Sequence, residues 1–229
     1  MIIVVPLAGP DFEAADATVK AERPLDGQPL LRRALESRAW CRGDQDQLIV
    51  VLRDSARSRR FAQESLRSWY GWADIVHIGA ATGGAALSAA AGLALARDVE
   101  TPVLVDLADI LFDCDADIRG RWAADPGLGG LAVTFRSESP SYSYLRFDET
   151  GRMIEAREKR VISDNASAGV YGFRHAAVFW RALAHSIEHR ASLAHNGLLF
   201  VCPMLNGVTA QALDVRAVAA TKVVDIKAP

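Results

Sequence analysis

The chain has 229 residues, half of them hydrophobic and 24% charged, and 26 Lys and Arg nearly balance 28 Asp and Glu for a net charge of −2. This composition supports a sizeable core and excludes disorder, and the aperiodic Gly and Pro exclude a fibrous chain. It carries no basic surplus to attract a nucleic acid or an anionic membrane, and at roughly 100–200 residues per domain it fits one large domain or two small ones.

Residues 2–5 read as a buried first strand, because the apolar run stops at Pro6 and no basic segment precedes it, unlike a signal peptide. The following loop contains Ala8-Gly9-Pro10 and, further on, Lys20. A glycine there lets backbone N–H groups approach a phosphate and a lysine neutralises its charge, although an ordinary turn has the same composition. Residues 28–40 are expected to be helical, with Leu30, Leu31, Ala34 and Leu35 on one face. Residues 48–52 read as a second buried strand, 55–69 as a helix capped by Asp54, and 74–78 as a third strand. Thr82-Gly83-Gly84-Ala85-Ala86 opens an Ala- and Leu-rich helix over 83–97. Its small residues admit a flat base or a phosphate to the helix N-terminus, or serve only tight helix–sheet packing.

A fourth strand, 102–106, runs straight into Asp106 and Asp109. Carboxylates ending a buried strand must be satisfied, and Mg²⁺ with substrate phosphates would do so. Asp113-Cys114-Asp115-Ala116-Asp117 spells the DxD pattern of many glycosyltransferases, or else a solvated loop with a helix N-cap. Beyond residue 125 the pattern changes. Strands are expected at 130–136 and 143–148, with a hairpin turn at 148–151 into 153–157, then at 166–173. A helix over 175–189 places Phe179, Leu183 and Ile187 on one stripe, and 222–226 is a last strand. Glu158-Lys159 offers a carboxylate for a polyol and an ammonium for a phosphate, or a surface charge cluster, and Gly169 lies on the next strand.

Strand–helix alternation predicts a mainly parallel sheet covered on both faces, with ligands at the carboxyl ends of its strands. The expected organisation is one unit, with a nucleotide-binding half (1–125) and a second half (126–229). Cys41, Cys114 and Cys202 form no CxxC pair and are expected as buried thiols in a reducing compartment. No run approaches the roughly 18 apolar residues of a membrane span, and the five His show no zinc spacing. A cytoplasmic protein is expected.

Taken in order, these segments resemble the sugar-nucleotidyltransferase (nucleoside-diphosphate-sugar pyrophosphorylase) family over nearly the whole chain. The branch most similar is associated with capsular and other surface polysaccharides. Residues 2–9 resemble the opening strand and glycine of the family's signature loop. Lys20, ahead of Gly27-Gln28-Pro29-Leu30-Leu31, matches the signature lysine before its G-K-P segment. Glu158-Lys159-Arg160-Val161-Ile162-Ser163 and Ala168-Gly169-Val170-Tyr171-Gly172-Phe173 resemble its E-K-x-x-I-S and G-x-Y-x-F blocks. Asn196-Gly197-Leu198-Leu199-Phe200-Val201-Cys202-Pro203 resembles the N-G-E-F-Y-V-C-P segment, and Val224-Asp225-Ile226-Lys227-Ala228-Pro229 the W-x-D-T-G-T-P ending.

The resemblance implies an α/β, Rossmann-like nucleotidyltransferase (GT-A-like) fold with a mixed, mostly parallel central sheet flanked by helices, and a single domain spanning 1–229. It implies catalytic roles for Lys20, Asp109 and Asp225, with Mg²⁺ on the two aspartates. Ala8, Gly9, Thr82 and Gly83 would contact the nucleotide, and Glu158, Lys159 and Gly169 the sugar phosphate. The implied substrates are an NTP and a phosphorylated sugar or similar small molecule. No nucleic acid or membrane partner is implied, a homodimer is a candidate assembly, and the stop at Pro229 reads as a bare catalytic core.

One segment departs from the family. Its loop reads roughly G-x-G-T/S-R, whereas Gly9-Pro10-Asp11-Phe12-Glu13 lacks the second glycine and the arginine and adds two acids. Acids repel a triphosphate, so Lys20, Arg23 or another basic residue must compensate. Two alternatives therefore stand beside nucleotidyl transfer: a non-catalytic nucleotide- or nucleotide-sugar-binding descendant, and a glycosyltransferase using Asp113 and Asp115.

Overall fold

The computed structural model describes residues 1–13, 18–41, 45–79 and 82–226. Strand β1 (Ile2–Leu7) leads through a 3₁₀ turn at Lys20–Glu22 to a small ribbon of β2 (Pro24–Leu25) and β3 (Gln28–Pro29), then helix α1 (Leu30–Glu36). Next come β4 (Gln47–Arg53), α2 (Ala56–Phe61), a π-helical stretch at Ala62–Leu66, α3 (Arg67–Trp69), β5 (Asp74–Ile78) and α4 (Ala85–Leu93). They are followed by β6 (Val103–Asp106), β7 (Ile110–Asp113), α5 (Ile118–Ala124), β8 (Leu128–Arg136), β9 (Tyr144–Phe147), β10 (Met153–Arg157) and β11 (Asn165–Phe173). The remainder is α6 (Ala176–Glu188), α7 (Arg190–Leu193), α8 (Val201–Thr209), β12 (Asp214–Ala219) and β13 (Thr221–Asp225).

Strands from both halves of the chain form one nine-stranded sheet in the order β10-β9-β11-β6-β1-β4-β5, with β8 pairing β11 and β12 pairing β8. Its heart, β6-β1-β4-β5, is parallel, and β11 enters antiparallel between β6 and β8. Buried on both faces, β1 is apolar at every position from Ile2 to Val5. Ile3 and Val5 pack with Leu31, Leu35 and Phe61 on one side. Ile2 and Val4 pack with Ala86, Ala89, Leu93, Phe179 and Met204 on the other. Each fully buried Leu, Ile or Val contributes about 1.5–3 kcal/mol relative to an exposed position.

Several expected boundaries shift, each for a local reason. The helix expected over 28–40 starts only at Leu30, because Gln28–Pro29 is extended (Pro29 ψ 136°) and pairs with Pro24–Leu25. Its four apolar positions are buried as expected. The cap of α2 is Ser55, whose Oγ accepts from the Ser58 N–H at 3.0 Å, whereas Asp54 pairs with Arg59 at 2.6 Å. Gly83 and Gly84 precede α4 with φ of 77° and 126° and lie outside it. Ile187 is half exposed, off the stripe that buries Phe179 and Leu183. Helix α8 is not anticipated by the sequence pattern: it is short and buried on most sides, so its apolar run does not distinguish it from a buried strand. Cys114 and Cys202 are buried, but Cys41 is partly exposed. Among the described residues no helix is long and apolar enough to cross a membrane.

Candidate functional site

The carboxyl ends of β1, β4 and β6 open onto a cavity of about 760 Å³. The loop after β1 supplies Ala8 and Gly9, with Lys20 beside them; the approach to α4 supplies Thr82 and Gly83; the loop after β6 supplies Asp109. Glu158, Lys159 and Gly169 face them from the second half of the chain. Of the residues to which the family resemblance gave a role, all line this one cavity except Asp225.

The loop after β1 corrects one expectation. Phe12 is buried edge-on against Phe61, with ring centroids 5.7 Å apart. Glu13 is thereby turned towards the start of α2, where the Ser55 and Ser58 hydroxyls donate to its Oε1. The bond from Ser55, then that from Ser58 and the charges of Arg53 and Arg57, hold this carboxyl below the usual carboxylate range against the opposing effect of burial. Glu13 thus bonds the serines at the start of α2 and does not line the cavity. Asp11 does line it, in an ion pair with Lys20 at 3.5 Å. Exposed pairs of this kind are worth about 0.2–1 kcal/mol. Asp11→Asn, which frees Lys20 and removes a like charge, is expected to tighten NTP binding roughly two- to fivefold by calorimetry. Unchanged or weaker binding would show that Asp11 does not oppose the ligand.

The opposite rim is built by backbone contacts. A Cβ on Gly84 would lie 2.1 Å from the Leu199 carbonyl oxygen, so only glycine permits this approach. Leu199 N–H donates to Gly83 O (2.8 Å) and Ala86 N–H donates to Leu199 O (3.1 Å). The segment is folded by Asn196 and Gly197, both at positive φ, with His195 and Leu198 exchanging N–H···O bonds of 3.0 Å. It carries His195, Asn196 and Phe200 to the cavity wall. Cys202 also lines the cavity, but burial pushes its thiol well above the usual range, which keeps it neutral and unreactive.

Asp106 and Asp109 end the central strand with different fates. Asp106 is fully buried and is satisfied by Arg38 (Nε to Oδ2, 2.9 Å) and by the Ala108 N–H (2.9 Å), so it needs no metal. Arg38 also donates to Ile110 O at 2.9 Å and lies 3.9 Å over the Phe112 ring. This pair holds Ala108 at φ 52° and turns the chain so that Asp109 reaches the cavity. A bulge in β11 makes room: Gly169, at φ 78°, accepts from Leu107 N–H at 2.9 Å, and a Cβ there would meet Asp109 Oδ1 at 2.8 Å.

Strand β13 pairs antiparallel with β7, setting Asp225 opposite Ile110, and Ile226 N–H donates to Asp109 O at 3.4 Å. The Asp225 carboxylate accepts from Tyr142 OH at 2.7 Å. Tyr142 is pushed up to about 12, first by burial, then by this bond and by the negative charges of Asp225 and Asp109. Both aspartates are therefore felt at one phenol. Among the described residues no three His, Cys, Asp or Glu side chains are grouped to hold a metal. Mg²⁺ does not require three, because it binds through one or two carboxylates, waters and substrate phosphates. Asp109 in the cavity wall, with Asp225 on the strand paired beside it, fits that mode. The Lys227–Pro229 part of the expected ending lies outside the described residues.

On the far wall the Ser143 hydroxyl donates to Glu158 Oε2. The Glu158 charge also raises Tyr171 and Cys202, secondary to their burial. This carboxylate with neighbouring hydroxyls suits a polyol. Lys159, at φ 48°, lies beside it. By contrast, Asp113 pairs with Lys222 at 2.8 Å and Asp117 caps α5 through Gly120 N–H at 3.0 Å; neither lines the cavity. Ser143, Tyr142, Arg38 and Arg53 were missed in the sequence. Arg53 alone left a signal there, as the residue following a buried strand.

No family model and no curated protein matches the chain. Solved structures do. A nucleoside-diphosphate-sugar pyrophosphorylase from Vibrio cholerae RC9 superposes with a TM-score of 0.84 at 20% identity, covering 100% of this chain and 96% of that one. A UDP-glucose pyrophosphorylase complexed with UDP-glucose gives 0.72 at 18% identity, covering 99% and 93%. The inositol-1-phosphate CTP transferase from T. maritima gives 0.72 at 15% identity, covering 100% and 89%. These likenesses establish the fold: α/β, Rossmann-like and nucleotidyltransferase-like, with a mixed sheet that is parallel through its centre and flanked by helices.

Proposed function

We propose that this chain is a nucleotidyltransferase that joins an NTP to a sugar phosphate or a similar small phosphate monoester and releases pyrophosphate. One observation carries the reading: the glycine loop with Lys20, the small-residue approach to α4, Asp109 and the Glu158-Lys159 pair all face one cavity at the carboxyl ends of parallel strands. The solved structures of the same fold include enzymes whose names describe this chemistry on UDP-glucose and inositol 1-phosphate.

In this reading an acceptor phosphate oxygen attacks the α-phosphorus in line. A P–O bond forms to the acceptor, the α–β bridging P–O bond breaks, and pyrophosphate leaves with that electron pair. Thr82 and Gly83 seat the base end of the nucleotide, the Ala8-Gly9 backbone and Lys20 face its phosphates, and Lys159 holds the acceptor phosphate. Glu158, braced by Ser143, orients the acceptor's hydroxyls. Asp109 and Asp225 would hold Mg²⁺, which supplies positive charge to the phosphates when bound. Such catalysis is positioning and electrostatics, which is why no nucleophilic triad is needed. We place both halves in a single catalytic domain, in the cytoplasm, serving surface-polysaccharide synthesis, with a homodimer as the candidate assembly.

The Lys20–Asp11 pair supports a second reading, nucleotide-sugar binding without turnover. Pyrophosphate release measured over the common NTPs, a panel of phosphorylated sugars and polyols, and Mg²⁺ separates the two. Turnover with at least one pair is expected. Nucleotide-sugar binding with no turnover for any pair would establish the second reading.

A further inference from the structure

We infer that Arg53 is the residue that binds the outer phosphates of a polyphosphate ligand in this cavity. The inference rests on the nucleotidyl-transfer reading and deepens it by assigning a cation that the loop after β1 lacks.

Arg53 is the last residue of β4, and β4 pairs parallel with β1 so that Leu52 stands opposite Leu7. Arg53 therefore emerges beside the loop that begins at Ala8, and it lines the same cavity. Its Nε is buried and has no hydrogen-bond partner among the described residues. A guanidinium carries five donors and never deprotonates, so a buried, unmatched N–H is costly unless a ligand supplies the acceptor. Among the described residues, Glu13 is an acid within electrostatic reach, but its Oε1 is already the acceptor for Ser55 and Ser58. Arg38 shows the contrast: its donors are taken up by Asp106 and Ile110 O.

The adjoining loop makes this cation necessary. Between Gly9 and Glu13 stand Pro10, Asp11 and Phe12, with no basic residue. Lys20 is the other cation on this wall, and Asp11 engages it. Arg53 and Lys20 thus line the same cavity as the Ala8-Gly9 backbone and supply two cations for consecutive phosphates. Arginine suits the task because its planar fork takes two phosphate oxygens at once.

The test uses inorganic tripolyphosphate, the common NTP that binds most tightly and the matching NMP, titrated calorimetrically into the full chain at fixed salt. Arg53→Met is expected to weaken tripolyphosphate and NTP at least about tenfold while the NMP changes by no more than about twofold. Arg53→Lys, which keeps the charge but loses the fork, is expected to fall between wild type and Arg53→Met. Equal tripolyphosphate affinity in wild type and Arg53→Met overturns the inference, as does no binding to wild type. An NMP loss as large as the NTP loss also overturns it, because it marks a structural role. If Arg53→Met does not fold, Arg53→Gln replaces it under the same criteria. Binding that depends on Arg53 in a chain that never releases pyrophosphate sinks the proposed function and leaves the anion site standing.

Discussion

Arg38→Ala is expected to lower the unfolding free energy by about 3–5 kcal/mol, the cost of stranding a buried charge after its partner is removed. For a chain of this size that corresponds to a fall in Tm of roughly 6–20 °C. The ion pair between Arg38 and Asp106 is 1% exposed on both sides, and Asp106 lies at the end of the central strand. Removing Arg38 also frees the Ile110 carbonyl and empties the space over Phe112. Chemical and thermal denaturation measure the loss. The double variant Arg38→Met with Asp106→Asn should lose less than Arg38→Ala, because the neutral pair leaves no uncompensated charge and the new side-chain amide oxygen still accepts from the Ala108 N–H. A single variant as stable as wild type would mean that Asp106 is satisfied in another way. The functional corollary is local. Arg38 is a positioning residue, acting through Asp106 and Ala108 on the turn that aims Asp109, so Arg38→Met should affect turnover through that turn.

Asp109→Asn is expected to reduce pyrophosphate release on the order of 10²–10³-fold, the usual effect of losing one preorganised electrostatic contact to a transition state. The substitution preserves shape, so the packing against Gly169 survives and Tm should stay close to wild type. What is lost is a full negative charge at a site where a divalent cation would meet the phosphates. Steady-state kinetics over a Mg²⁺ titration measure this, with the loss expected in kcat and in the Mg²⁺ requirement. Undiminished turnover at saturating Mg²⁺ would remove Asp109 from the chemistry. The same variant discriminates the second reading, because a protein that only binds nucleotide sugars has no turnover to lose.

Much of this site was legible in the sequence, and for one reason. Residues that follow a buried parallel strand lie at the carboxyl edge of the sheet, and that edge is where ligands bind. Gly9 after β1 and Asp109 after β6 could be picked out on that ground. Glu158 and Lys159 after β10 stood out as a charge pair ending a strand-like run. The same rule would have found Arg53 after β4. The central strands were legible because β-branched apolar runs have few other uses; at the two ends of the sheet, Asp74–Ile78 and Met153–Arg157 also match their expected limits. Helix α8 and strand β12 were not, because the first is apolar on nearly every side and the second buries only Val215 and Val218.

Alone, the sequence determined that this chain builds an α/β sheet whose strand ends carry a glycine loop, a lysine and paired acids. It could also state that the loop after β1 holds two acids in place of an arginine. Only the tertiary structure decided what those acids do. Glu13 turns to the hydroxyl of Ser55, 42 residues away, whereas Asp11 stays at the cavity and engages Lys20. Asp106 and Asp109, close neighbours in the chain, separate in the same way. One is neutralised by Arg38 from 68 residues upstream, and the other is carried to the cavity wall. The physical reason is common to all four. A carboxylate's role depends on which donors and charges reach it through space, and contacts between distant segments leave no period or spacing to read.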